Sequence, residues 1–500
     1  MRNMILKIKF VLLLVCFFQV EANGSFITKS TSFEVRMDGQ EQFVHMFGQF
    51  DIPVHAVHYT LSDSKSINIK VKAKEEIQTY SISPLSRGIV GCVDGKELSF
   101  TLDKPEYLII KINELEYLFL MIDTPIEEPL ESAYVKITNI LDYDVDNTGH
   151  TLSTSLLQRA IDETARERSI LYIPDGTYKT GQLNLPDHAR IFLAPNACIK
   201  ASTDTIDFPD KALLYMNSAR HIQIFGHGTI DGSGYTGLRE NGGQGYYLIY
   251  ISTCIDINMN GPLLLDPCFW NARVYRSKNV NLRNIKVLNN RPAENWNNTD
   301  GIDFDSSVHC SLVNGILHCG DDNLVVKGLD AEHQFNTENI RFERIVTLSN
   351  SAATKIGTET CVEHFKNITF KDIDIVKCKR AMVINAYDSA LVHHIVFENI
   401  NIESFEYNGV EAPRMIDFEI TDTSWRPCAG DCMIENVVIK NINIHCDIEQ
   451  VHSQIIGKSD MYAVRNTAIE NVKVKGKPVE YKKDINLLTN DYVFDLAIKP

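Results

Sequence analysis

Tryptophan is scarce in this chain, 3 in 500 residues, and after residue 22 no stretch reaches the roughly 18 uninterrupted apolar residues that a bilayer span requires. No membrane span is therefore expected. Basic tracts are missing as well: 65 Asp and Glu oppose 49 Lys and Arg, for a formal net charge of -16. A surface of that sign offers little to neutralise phosphates, so nucleic acid is not an expected partner. Regular cysteine spacing is also absent among the 12 cysteines, which excludes a disulfide scaffold. Cys428 and Cys432 in "CAGDC" are placed to close a short loop, whereas a zinc site would need a second close Cys or His pair that the sequence does not supply.

At the N-terminus, Arg2 and Lys7 precede an apolar run from Phe10 to Val20 and then Val-Glu-Ala. This pattern reads as a secretory signal over 1–22, cut after Ala22, and implies a secreted or periplasmic protein. Cys16 as a lipidation site fits less well, because Val15 is larger than the small residue such sites prefer.

Ordinary globular composition, 44% hydrophobic and 23% charged, predicts a folded chain large enough for two domains. Segments such as "SINIKVKAK" and "ELSFTLDK" alternate at period two, which predicts an antiparallel β-sandwich over 24–127. The proline- and acid-rich "DTPIEEPLES" then suits a linker, with a second domain over 133–500. Thr151 to Glu167 carries Leu156, Leu157, Ala160, Ile161 and Ala165 at helical spacing, the one strong helix signal, with Ser and Thr available to cap it.

In the second half a nine-residue phrase recurs: "NVNLRNIKV" at 279, "NIRFERIVT" at 339, "NITFKDIDI" at 367, "HIVFENINI" at 394, "NVVIKNINI" at 436 and "NTAIENVKV" at 466, with a weaker "HCSLVNGIL" at 309. Intervals of this size predict the coils of a parallel β-helix, each stacking on the next with Asn ladders at the corners. The helix would then cover the open first coil. The fold expected is all-β, a parallel β-helix preceded by the sandwich.

Two acidic clusters stand out, "NTDGIDFD" at 298–305 and "GDDN" at 320–323, with 21 positions from Asp300 to Asp321. Coil stacking would bring Asp300, Asp321 and Asp322 onto one face, where mutual repulsion raises at least one pKa and leaves a proton donor beside a carboxylate. That pair is the equipment of glycoside hydrolysis. Since strand neighbours point to opposite faces, a turn or bulge at Gly320 is needed to expose both Asp321 and Asp322. Turn chemistry and calcium ligation remain alternative readings of the same aspartates.

"NTDGID" followed by "GDDNLVVKG", with "HGTIDGSG" upstream, resembles the central motifs of glycoside hydrolase family 28, the polygalacturonases and their relatives, over about 146–480. The resemblance implies a right-handed β-helix and inverting hydrolysis of a polysaccharide or oligosaccharide, without cofactor or metal. It implies Asp321 as general acid, Asp300 and Asp322 as activators of water, and Asn298 and Lys327 lining sugar subsites. The family's Gly-His-Gly is replaced by "NSAATKIGT", and its Arg-Ile-Lys by "MVINAYD", which places Val383 and Asn385 where cations hold a uronate. Lys355 and Arg380 would compensate if they reach the catalytic face; the alternative is a surface cation, favoured for Arg380. Trp296 would stack on a sugar or pack a loop, and His309 and His318 are expected at corner or core positions. The sandwich-plus-helix layout is also similar to dextranase-type enzymes of family 49, which keeps a neutral glucan open as substrate. A calcium-dependent lyase and a noncatalytic carbohydrate-binding protein are the competing classes, and a monomer is expected.

Overall fold

The computed structural model describes residues 27–500 except 48–53, 63–64, 133–134, 235–244, 290–297, 331, 333–334, 407–410, 423–427, 429 and 431. The expected signal at 1–22 and Trp296 lie outside the described residues.

Strand Ile67–Ala73 buries every second side chain, as its alternating sequence requires. It belongs to a five-stranded sheet that faces a six-stranded one across a core of Val35, Ile69, Leu98, Leu108, Ile110 and Leu120. The sandwich is not wholly antiparallel. Val54–Thr60 pairs in parallel with Leu118–Asp123, because the intervening chain crosses to the other sheet and back before it returns.

From Ile137 onward the chain winds through an 18-stranded and an 11-stranded sheet whose long-range pairs are parallel, the right-handed β-helix. Every copy of the recurrent phrase lies in the larger sheet, each paired with the copy next to it in sequence. Its first and sixth positions both take positive φ: Asn279 and Asn284, His309 and Asn314, Asn339 and Arg344, Asn367 and Asp372, His394 and Asn399, Asn436 and Asn441, Asn466 and Asn471. Asn tolerates this left-handed backbone better than other residues with a Cβ, so the repeated Asn is what turns the chain twice in each coil. The same amides bond along the stack, Asn314 to Asn284 at 2.7 Å, Asn441 to Asn399 at 3.0 Å and Asn471 to Asn441 at 2.8 Å. Inside, Phe304, Phe342, Phe370, Phe397 and Phe418 form a column with centroid spacings of 5.2, 5.2, 5.1 and 6.0 Å.

The helix spans Thr154–Glu167 and buries Leu157, Ala160, Ile161 and Ala165 against the first coil. Ser153 stands at its N-terminus but makes no side-chain cap, its hydroxyl bonding Thr151 O instead. Cys428 does not pair with Cys432: its partner is Cys361, 67 residues away in sequence and 5.7 Å between Cα atoms, while Cys432 is buried with a free thiol.

The outer face of the six-stranded sheet packs on the β-helix, Phe119 and Met121 meeting Leu288, Ile316 and Leu348. At its edge Lys286, fully buried, donates to Asp123 at 2.6 Å, and Asp123 also bonds His58 at 2.9 Å. His58, Asp123 and His227 are arranged like metal ligands, but the Lys286 ammonium already fills the cationic position among them.

Phe370→Ala removes the middle ring of the column, and chemical denaturation is expected to show a loss of about 3–5 kcal/mol.

Candidate active site

The backbone ladder runs unbroken through the acidic clusters. Asn271 N–H donates to Asp300 O at 2.9 Å, Gly301 N–H to Asp322 O at 2.8 Å, and Asn323 N–H to Ala352 O at 2.9 Å. Asp300 and Asp322 are thus neighbours on successive coils despite their distance in sequence. A side chain at Gly301 would place its Cβ 2.3 Å from Asn323 O, so only glycine lets the coils approach this closely.

Residues 320–323 form a bend between strands Val308–Cys319 and Leu324–Leu329 rather than part of either. This supplies the turn that the adjacent carboxylates need. Asp321 accepts the backbone N–H of Asn298 at 2.8 Å and that of Asp322 at 3.0 Å. Asp322 is 3% exposed and is held from four sides: Lys355 Nζ at 2.6 Å, Ser351 Oγ at 2.7 Å, Ala352 N at 2.9 Å and Arg380 at 3.4 Å.

These surroundings separate the two neighbours. Asp322 is buried, yet Lys355, then Arg380, hold its carboxyl well below the usual carboxylate range. Burial pushes Asp321 up, and the Asp322 charge beside it pushes in the same direction. Asp300 lies well above its ordinary value through burial and the nearby Asp303 and Asp321. Asp303 is raised too, chiefly by burial, and neither of its oxygens has a hydrogen-bond partner among the described residues. Two carboxyls displaced in opposite directions therefore sit side by side, the arrangement that acid and base chemistry requires.

Lys327 is 4% exposed, donates to Glu359 at 3.0 Å and lies 3.8 Å from Asp300. Its ammonium thus reaches the carboxylates from a buried position. Asn298 meets the site through its backbone N–H. Arg380, favoured above as a surface cation, bonds Asp322 instead and comes within 3.8 Å of Asp417, which Arg414 also holds at 2.6 Å. His309 takes an exposed corner and His318 a buried place beside Phe119, as expected. Sequence reasoning passed over Trp270, 7% exposed, whose ring lies 4.8 Å from the Lys327 ammonium. It also passed over Asp303; the second aspartate of "NTDGID" was the available signal.

A family model described as "Glycosyl hydrolases family 28" matches residues 164–490. A probable polygalacturonase from Vitis vinifera is 29% identical over 256 residues, covering 44% of this chain and 51% of that protein. An exo-poly-alpha-D-galacturonosidase from Dickeya chrysanthemi is 24% identical over 385 residues, with 63% of each chain covered. The chain thus spans less than two thirds of either relative. The crystal structure of an exopolygalacturonase from Thermotoga maritima superposes with a TM-score of 0.54 at 16% identity, covering 75% of this chain and 93% of that one, and so shares the fold. Among the described residues no helix is long and apolar enough to cross a membrane.

Lys355→Met removes the strongest support for the Asp322 anion. Activity that needs Asp322 ionised is lost as pH falls through its pKa, so the acid limb of the kcat/KM profile is expected to move to higher pH while the alkaline limb stays.

Proposed function

Since the chain belongs to family 28 of the glycosyl hydrolases, we propose that it hydrolyses glycosidic bonds of a galacturonate-containing polysaccharide with inversion at the anomeric carbon. The observation that carries this reading is the opposite displacement of two adjacent carboxyls, Asp321 upward and Asp322 downward. Asp321 gives its proton to the glycosidic oxygen as the bond from that oxygen to the anomeric carbon breaks. Water bonds to the same carbon from the other face and passes its proton to Asp322. Exchange with solvent returns the proton to Asp321.

Burial and the neighbouring Asp303 and Asp321 push Asp300 up, which suits it to hold the water rather than to deprotonate it. The acid names of the relatives and the reach of Lys355 and Arg380 favour a uronate over a neutral glucan at the cleavage point. Each of those cations is bonded to Asp322, so a uronate carboxylate would share them.

Two features support an exported protein of two domains. One apolar core draws on residues from Phe33 to Ile122 and another on residues from Ile140 to Leu487, with an exposed segment around Leu130 between them, and the Cys361–Cys428 bond suits an oxidising compartment.

Asp321→Asn is expected to lower kcat on polygalacturonate by roughly 10²–10⁴-fold while substrate still binds. NMR of the first product should show the inverted anomer; a retained anomer, or an unsaturated sugar formed only with calcium, would sink the proposal. N-terminal sequencing of the exported protein should begin at Asn23, and after limited proteolysis a second start should appear within 128–132.

A further inference from the structure

The outward side chains of the 11-stranded sheet change character across the carboxylates. In one register file Tyr215 pairs with Tyr250, Tyr250 with Arg273, and Arg273 with Asp303. Two coils of this file on the N-terminal side therefore present aromatic rings. Tyr215 and Tyr250 are 5.6 Å apart between centroids, Tyr247 and Tyr250 5.0 Å, and Tyr247 and Trp270 5.7 Å.

Arg273 fastens this cluster. Its guanidinium lies 5.5 Å from the Tyr250 ring, 5.7 Å from Tyr247 and 5.5 Å from Trp270, and bonds Asp305 through Nε at 3.0 Å and Nη2 at 2.6 Å. The pairing fixes the rings and cancels the charge. On the C-terminal side the side chains differ: Lys355, Arg380 and Arg414 stand among Asp322 and Asp417, with no ring among these five residues.

These rings do not fill the coil interior, which has its own phenylalanine column. Tyr215, Tyr247 and Tyr250 are partly exposed on the outer face. Trp270 adds a second sign of a ligand: it is 7% exposed, and its indole Nε1 has no hydrogen-bond partner among the described residues. Buried indole N–H groups ordinarily find an acceptor, and a sugar hydroxyl would supply one. Coils advance by roughly 4.8 Å, close to the length of one sugar unit in an extended polysaccharide.

We propose that Tyr215, Tyr247 and Tyr250, with the Trp270 indole N–H beside them as a hydrogen-bond donor, form a stacking floor for the part of the polysaccharide lying on the N-terminal side of the scissile bond, and that it takes neutral sugar units by their apolar ring faces. The substrate is then a mixed chain, with neutral sugars over the rings and a uronate at the Lys355 and Arg380 end. This rests on the hydrolase reading for the position of the scissile bond. A uniformly uronic chain would place carboxylates beside Arg273, whose Nε, Nη1 and Nη2 are all bonded already, to Asp305 and to the Tyr247 hydroxyl.

The test uses the full chain carrying Asp321→Asn, so that probes are not consumed, and isothermal titration with digalacturonate, hexagalacturonate and a hexagalacturonate partly reduced at its carboxyls to neutral galactose. The partly reduced hexasaccharide is expected to bind more tightly than the unreduced one. Adding Tyr250→Ala should weaken it about tenfold and leave the disaccharide unchanged, while Tyr250→Phe, which keeps the ring, should restore binding. Equal weakening of both lengths, no effect of Tyr250→Ala, tighter binding of the unreduced chain, or no binding of either hexasaccharide would overturn the proposal. Hydrolysis by the unmodified protein is measured separately: if it fails while ring-dependent binding holds, the hydrolase reading falls and the stacking floor stands.

Discussion

The chemistry depends on a backbone ladder that does not stop at the edge of the sheet. Parallel strands Ile302–Asp305 and Leu324–Leu329 pair Asp305 with Lys327, and the same register, carried two residues further by Gly301 N–H to Asp322 O, sets Asp300 beside Asp322. Loops of side chains alone would leave two repelling acids free to swing apart. Here main-chain bonds and the missing Cβ of Gly301 fix them, so repulsion is expressed as displaced pKa values instead of movement.

That arrangement opposes stability. Asp300, Asp303 and Asp321 have folded pKa values above the unfolded value of about 3.9, so each contributes stability at acid pH that is lost as pH rises through its raised pKa. Asp322 behaves in the opposite sense: depressed in the fold, it contributes above about pH 3.9 and loses that contribution as pH falls. At neutral pH the site therefore costs folding free energy at three positions, offset in part by one. The long apolar column and the ladders on either side are what tolerate the cost.

The coils were legible in the sequence because their cause is local. A residue that accepts positive φ, recurring at the first and sixth positions of a nine-residue phrase, announces two corners wherever it occurs. The aspartates were legible because coil length converts sequence interval into adjacency. Other features depend on which coil faces which, and no local pattern reports that. Arg380 reads as one more surface cation until the next coil but one supplies Asp322, and Cys361 lies far from Cys428 in sequence. Tyr250 sits in a short apolar strand and Trp270 just ahead of the next one, where an aromatic ring reads as core; only the pairing of Tyr250 with Arg273 shows that its ring points outward. The parallel pair in the sandwich escaped notice because alternation specifies a strand and not its direction.

The sandwich also bears on the site through Lys286. This lysine ends up fully buried between the two units, its burial lowering its pKa and Asp123 opposing that effect. It belongs to strand Lys278–Leu288, after which Asn289 bonds Thr299 O at 2.9 Å, one residue before Asp300. A buried ion pair contributes little net stability, but breaking one is costly, so its value lies in fixing one register over its alternatives. The Asp123 contact thus braces the coil that leads to Asp300, and the first unit bears on the carboxylate-bearing face through Lys286, with none of its described side chains bonded to Asp300, Asp321 or Asp322.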